Sequence, residues 1–121
     1  MIDVKKLLTK IINRFGAETF TGTRSNAISR GDCYGIYDKA SDTVRINFYF
    51  YNTSSIPSSY ILFTIPQKYR PKATKYGTAM YVTTGGTSAY QCYIATNGSI
   101  YQNLGSTILQ GHGTIEYILG S

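Results

Sequence analysis

The sequence predicts an all-β protein: a small antiparallel β-sandwich, jelly-roll-like, preceded by a short N-terminal α-helix. Three observations carry this. The 121 residues include twelve Tyr and five Phe but no Trp, with many Thr, Ser, Gly and Asn, the residue types of strands and of the turns between them. Short stretches alternate apolar and polar residues at a period of two. Helical spacing occurs once, at the start of the chain. The length suits one unit with a modest core. It divides into an amphipathic oligomerisation helix, residues 1–16, and a β-sandwich domain, residues 17–121.

The helix is predicted over residues 4–15. Val4, Leu7, Leu8, Ile11, Ile12 and Phe15 fall on one face and basic residues on the other. Asp3 suits the N-cap, and Gly16 suits the residue that ends the helix. A helix of about 12 residues is marginal alone in water, so its apolar stripe needs a partner. Val4, Leu8, Ile11 and Phe15 take heptad seam positions, and Leu7 and Ile12 flank them. Such a wide seam fits three or more helices better than two, and packing on the chain's own β domain is the alternative.

Residues 17–42 are polar and turn-rich, with weak strands at 19–23 and 31–37 and a turn at "DKASD", residues 38–42. "TVRINFYFY" then alternates clearly. Val44, Ile46, Phe48 and Phe50 point to the core; Arg45, Asn47, Tyr49 and Tyr51 form a polar-aromatic face, for solvent or a subunit contact. Tyr49 and Tyr51 therefore join the helix residues as expected interface positions. "NTSSIPSS" reads as a loop and "YILFTI", 60–65, as a strand covered on both faces. Further strands are expected at 79–83, 89–95, 99–103 and 114–119, with "TTGGTS" as a hairpin connection. In "YIATNGSIYQ", Asn97-Gly98 suits a type I′ turn, a register that sets Ile94 against Tyr101 and Ala95 against Ile100.

The chemistry points away from an enzyme. One His, in "QGHGT", reads as a turn residue, and with no second His no Ser-His or Cys-His triad is available. Asp32, Asp38 and Asp42 lie in a charge-balanced stretch and read as solvated surface rather than a glycosidase pair. There is no phosphate-binding glycine loop. No cofactor or metal is expected. Cys33 and Cys92 lack zinc-site spacing and read as two reduced thiols, at least one in the core, with a disulfide as the minority reading. The start of the chain lacks the features of a signal peptide, and no apolar run reaches about 18 residues, so a cytoplasmic product without a membrane span is expected.

The net charge of +6 is concentrated in two places: the N-terminal stretch and "PQKYRPKATKY". The second holds Lys68, Arg70, Lys72 and Lys75 with no acid. Three readings fit it. Tyr69, Tyr76, Lys68 and Arg70 could bind single-stranded nucleic acid. The same aromatics and Arg70 could hold a cell-surface polysaccharide. Alternatively the loop is structural: Pro66 ends a strand, Pro71 biases Arg70 to extended geometry, and Tyr69 folds back on the core. Lys68, Lys72 and Lys75 are then a solvated edge, and Arg70 awaits a carboxylate or a ligand.

Taken together, "FTIPQKYRP", the "ATNGSIY" hairpin and the closing "GHGTIEYIL" resemble the C-terminal domains of phage and prophage tail-associated structural proteins: baseplate, tail-fibre and receptor-binding proteins of viruses of Gram-positive bacteria. The matching positions are Ile65, Pro66, Tyr69, Arg70 and Pro71; Asn97 and Gly98; and Gly113, Ile115 and Tyr117. "MIDVKKLLTKII" is similar to the opening of such proteins. The resemblance implies a non-enzymatic virion protein made in the bacterial cytoplasm, a homotrimer that contacts other virion proteins or host surface glycans. It carries over no ligand-binding residue. The alternative function is a single-stranded nucleic-acid-binding β domain.

Overall fold

The computed structural model describes residues 3–7, 16–57, 59–104 and 108–121, with side chains at all of these except 53–56. Residues 4–7 are helical. As predicted, Asp3 caps them: its carbonyl accepts from Leu7 N at 3.0 Å and its carboxylate from Lys6 N at 3.2 Å. Leu8, Ile11, Ile12 and Phe15 lie outside the described residues. Gly16 has φ +81°, and the helix end it was expected to close lies outside the described residues.

Among the described residues nine strands follow: β1 (Ala17–Thr21), β2 (Thr23–Arg24), β3 (Arg30–Asp38), β4 (Thr43–Ile56), β5 (Phe63–Thr64), β6 (Lys75–Thr83), β7 (Gly86–Ile94), β8 (Ser99–Gln102) and β9 (Ile108–Ile118). They form one antiparallel sheet in the order β1-β3-β4-β9-β6-β7-β8-β5-β2. β1 and β2 stand at opposite ends of this order, yet only Gly22 separates them in the chain. Gly22 N donates to Cys33 O at 2.9 Å, so both ends meet beside β3. The sheet bends over itself, and its two layers face each other across one core.

The alternation in β4 is as predicted. Val44, Ile46, Phe48 and Phe50 are buried with Leu62, Phe63, Ile65, Tyr81, Ile94, Ile100, Ile108 and Ile115. Cys33 and Cys92 are both buried and unpaired, and desolvation pushes each thiol up to about 12. The "DKASD" turn joins β3 to β4, with Asp42 at φ 53°.

Three local expectations give way to long-range pairing. β4 runs on to Ile56 where a loop was expected, because it keeps pairing with β9 through a register shift between Tyr51 and Ile56. "YILFTI" contributes only Phe63–Thr64 to the ladder, although Leu62 N and Ile65 N still donate to Ile100 O and Gly98 O. In the "NG" hairpin Ile94 pairs with Ile100 and Tyr93 with Tyr101. Here Gly98 has positive φ and Asn97 does not, and Gly98 N donates to Ala95 O at 2.9 Å. One positive-φ glycine after a turn makes a longer, bulged connection than the type I′ hairpin, which needs two such residues.

Candidate functional site

The segment after β5 is built by its prolines. Pro66 closes the strand and Gln67–Tyr69 form a single 3-10 turn, with Tyr69 N donating to Pro66 O at 3.1 Å. Arg70 is extended at φ −72° and ψ 141°, as the following Pro71 requires. Tyr69 folds onto the core: its ring stacks on Phe20 at 4.2 Å and meets Tyr37 at 5.9 Å. Phe20 in turn lies flat on Gly35, where a Cβ would come within 2.0 Å of the ring. The Tyr69 carbonyl accepts the buried hydroxyl of Tyr117.

The Tyr69 hydroxyl reaches Glu18 on β1. It donates to Oε2 at 2.6 Å, while Lys68 Nζ sits 2.9 Å from the same oxygen and Lys39 Nζ 3.2 Å from Oε1. The Tyr69 hydrogen bond, then Lys68 and Lys39, hold the Glu18 carboxyl down at about 2. Burial and the adjacent carboxylate push the Tyr69 phenol up to about 12.

Most of the cations of this segment have partners within the fold. Lys68 is on Glu18, Lys75 Nζ is 2.9 Å from Ser121 Oγ, and Arg70 Nε donates to Ile65 O at 3.1 Å. Arg70 also lies over the β7–β8 turn, so that a Cβ at Gly98 would come within 2.5 Å of its Nε. Tyr76 stands apart from Tyr69 and Arg70, exposed on the outer face of β6. It starts an aromatic row across three strands: Tyr76 against Tyr93 at 6.0 Å, and Tyr93 stacked on Tyr101 at 5.0 Å.

Tyr49 and Tyr51 occupy the outer face of β4, about half exposed, beside exposed Tyr34 and Ile36 of β3 and Met80 of β6. The Tyr49 hydroxyl donates to Asp32 Oδ2 at 2.6 Å, and this bond raises its pKa. On the same face Thr114 Oγ1 donates to Asn47 Oδ1 at 2.8 Å and Arg45 pairs with Glu116 at 3.2 Å. Val4 and Leu7 are exposed at the helix start. Sequence reasoning missed Glu18 and Asp32 as partners. The alternation of Arg30, Asp32 and Tyr34 around buried Cys33 was legible in "RGDCYG", but the β4 residues they meet were not.

Among the described residues no group of three or more His, Cys, Asp or Glu could hold a metal ion, and no helix is long and apolar enough to cross a membrane. His112 is exposed on β9, opposite Tyr49 and Met80.

No protein-family model matches the chain. No curated protein matches it in sequence. Among solved structures, the chain is similar to the receptor binding protein gp15 of Listeria phage PSA, with a TM-score of 0.60 and 17% sequence identity over 93% of this chain and 72% of that one. At this identity the likeness is one of fold: nearly the whole chain follows the architecture of a phage receptor-binding protein.

Proposed function

We propose that the chain is a non-enzymatic receptor-binding module of a phage tail, located in the virion, assembled as a homotrimer and contacting a host cell-surface glycan. The observation that carries this reading is the fold shared over 93% of the chain with a phage receptor binding protein. Two features of the molecule support its parts. Val4 and Leu7 stand exposed on a capped helix start, where a hydrophobic seam between subunits would cover them. The outer sheet face exposes tyrosines beside polar groups, the composition of a recognition surface.

Native mass measurement and wall binding test the reading. The intact chain is expected to run as a trimer, and Leu7→Asp to weaken that assembly. The chain is also expected to sediment with cell walls from a panel of Gram-positive bacteria that begins with Listeria, and to lose binding once wall polysaccharide is stripped. A stable monomer removes the trimer, and failure on every wall removes the receptor-binding role. Binding to single-stranded DNA that weakens steeply with salt would favour the nucleic-acid alternative. The engagement of Lys68, Arg70 and Lys75 within the fold speaks against that alternative.

A further inference from the structure

A polar depression of about 450 Å³ opens on the outer face beside β2, β3 and β4, lined by Arg24, Arg30, Gly31, Asp32, Tyr49 and Tyr51. Its size falls within the range of small-ligand clefts, roughly 300–1,000 Å³. Its walls are braced from behind. Arg24 Nη1 donates to Ser29 O at 2.9 Å, and Ser29 N donates to the Oδ1 of buried Asn52 at 2.8 Å. The Tyr49 hydroxyl donates to Asp32 Oδ2, which fixes the carboxylate at the groove wall. The side chain of Arg30, opposite Tyr51 in the ladder, makes no hydrogen bond or ion pair among the described residues. Gly31, at φ +154°, lets β3 run so close to β4 that a Cβ there would stand 2.4 Å from Tyr49 O. The β3–β4 register sets Asp32 against Tyr49 and Arg30 against Tyr51, and Arg24 of β2 completes the lining.

The chemistry of this set is specific. Exposed phenol rings pack on the CH-rich face of a sugar. A carboxylate oxygen accepts from sugar hydroxyls. A guanidinium fork pairs bidentately with a phosphate or carboxylate. Two guanidinium groups against one carboxylate leave the groove net positive, so the ligand it fits carries negative charge.

We infer that this groove binds an anionic saccharide unit, its ring on Tyr51 and Tyr49, its hydroxyls on Asp32 and its acidic group on Arg30 and Arg24. The inference rests on the receptor-binding reading above and gives that reading a site. It assigns Tyr49 and Tyr51 to ligand contact, and leaves the N-terminal helix to join subunits.

The test is titration of the intact, isotopically labelled protein with four probes: poly(glycerol phosphate), oligogalacturonate, maltohexaose and a ten-residue oligothymidylate. One of the two anionic polymers is expected to shift the amides of 24, 30–32 and 49–51, and which one does so distinguishes a phosphate from a uronate. Arg30→Ala and Tyr51→Ala, both on the exposed face, are each expected to weaken that binding about tenfold, the loss of one charge-assisted or stacking contact. Lys72→Ala, which removes an equal charge elsewhere, is expected to leave it within about twofold. Shifts confined to other surfaces, stronger response to maltohexaose, equal response to oligothymidylate, or equal weakening by Lys72→Ala would each overturn the groove assignment, as would silence towards all four probes. If wild type and Arg30→Ala sediment equally with bacterial walls, the groove fails and the receptor-binding reading survives. If wild type binds no wall, the reading itself fails.

Discussion

The Tyr69 hydroxyl donates to the Glu18 carboxylate at 2.6 Å, and this bond ties the 3-10 turn after β5 to the first strand of the sheet. The two residues are 51 positions apart. The contact turns what looks in sequence like a basic, ligand-seeking loop into a braced corner of the fold.

The first prediction concerns pH. Glu18 titrates at about 2 instead of its ordinary 4.5, so its contribution to stability is fully present above about 4.5 and lost as pH falls towards 2. Tyr69→Phe removes the largest cause of the depression. The Glu18 carboxyl, followed by carbon-13 NMR titration, is expected to move up towards its ordinary value. The variant's unfolding midpoint should also vary less between those two pH values than the wild type's. An unmoved Glu18 titration would show that the lysines alone hold it down.

The second concerns the buried donor beneath the same turn. Tyr117→Phe removes the hydroxyl that reaches the Tyr69 carbonyl and leaves that acceptor without it. Urea unfolding is expected to show a loss of about 1–3 kcal/mol with an unchanged m value. A loss within experimental error would mean that solvent replaces the bond.

The third compares the two faces of β4. Ile46 is fully buried between β3 and β9, so Ile46→Ala is expected to cost about 2–5 kcal/mol by opening a cavity. Tyr49→Ala, three residues along on the outer face, is expected to change stability by less than about 1 kcal/mol. Equal losses in denaturant titration would contradict the inside–outside assignment.

The fourth concerns the thiols. Cys33 and Cys92 are buried and titrate near 12, so neither is expected to react with an aromatic disulfide reagent at pH 8 in the native protein. Both should react at once in strong denaturant. Rapid native labelling of either would reveal local opening of β3 or β7.

How much of this was legible beforehand differs by element. The alternation in "TVRINFYFY" named the buried face of β4 correctly, because side-chain direction in a strand depends only on position parity. Pro66 and Pro71 foretold the turn and the extended Arg70, because proline restricts backbone angles locally. Asp3 announced its cap because its carboxylate accepts from a backbone amide only three residues on. The hairpin at Gly98 was foretold, but its pairing was not: a register depends on how the whole of β7 and β8 lies against its neighbours. The reach of β4 to Ile56, Glu18 under Tyr69, Arg70 over Gly98 and Asp32 beside Tyr49 were beyond local reading. The first, third and fourth of these follow from which strands pair, and Glu18 meets Tyr69 because the sheet bends until its ends meet beside β3. Composition and periodicity act over a few residues, so they set what each strand buries and where each turn falls. Closure of the sheet sets which polar groups become neighbours, and those neighbours make the corner at Tyr69 and the groove at Arg30.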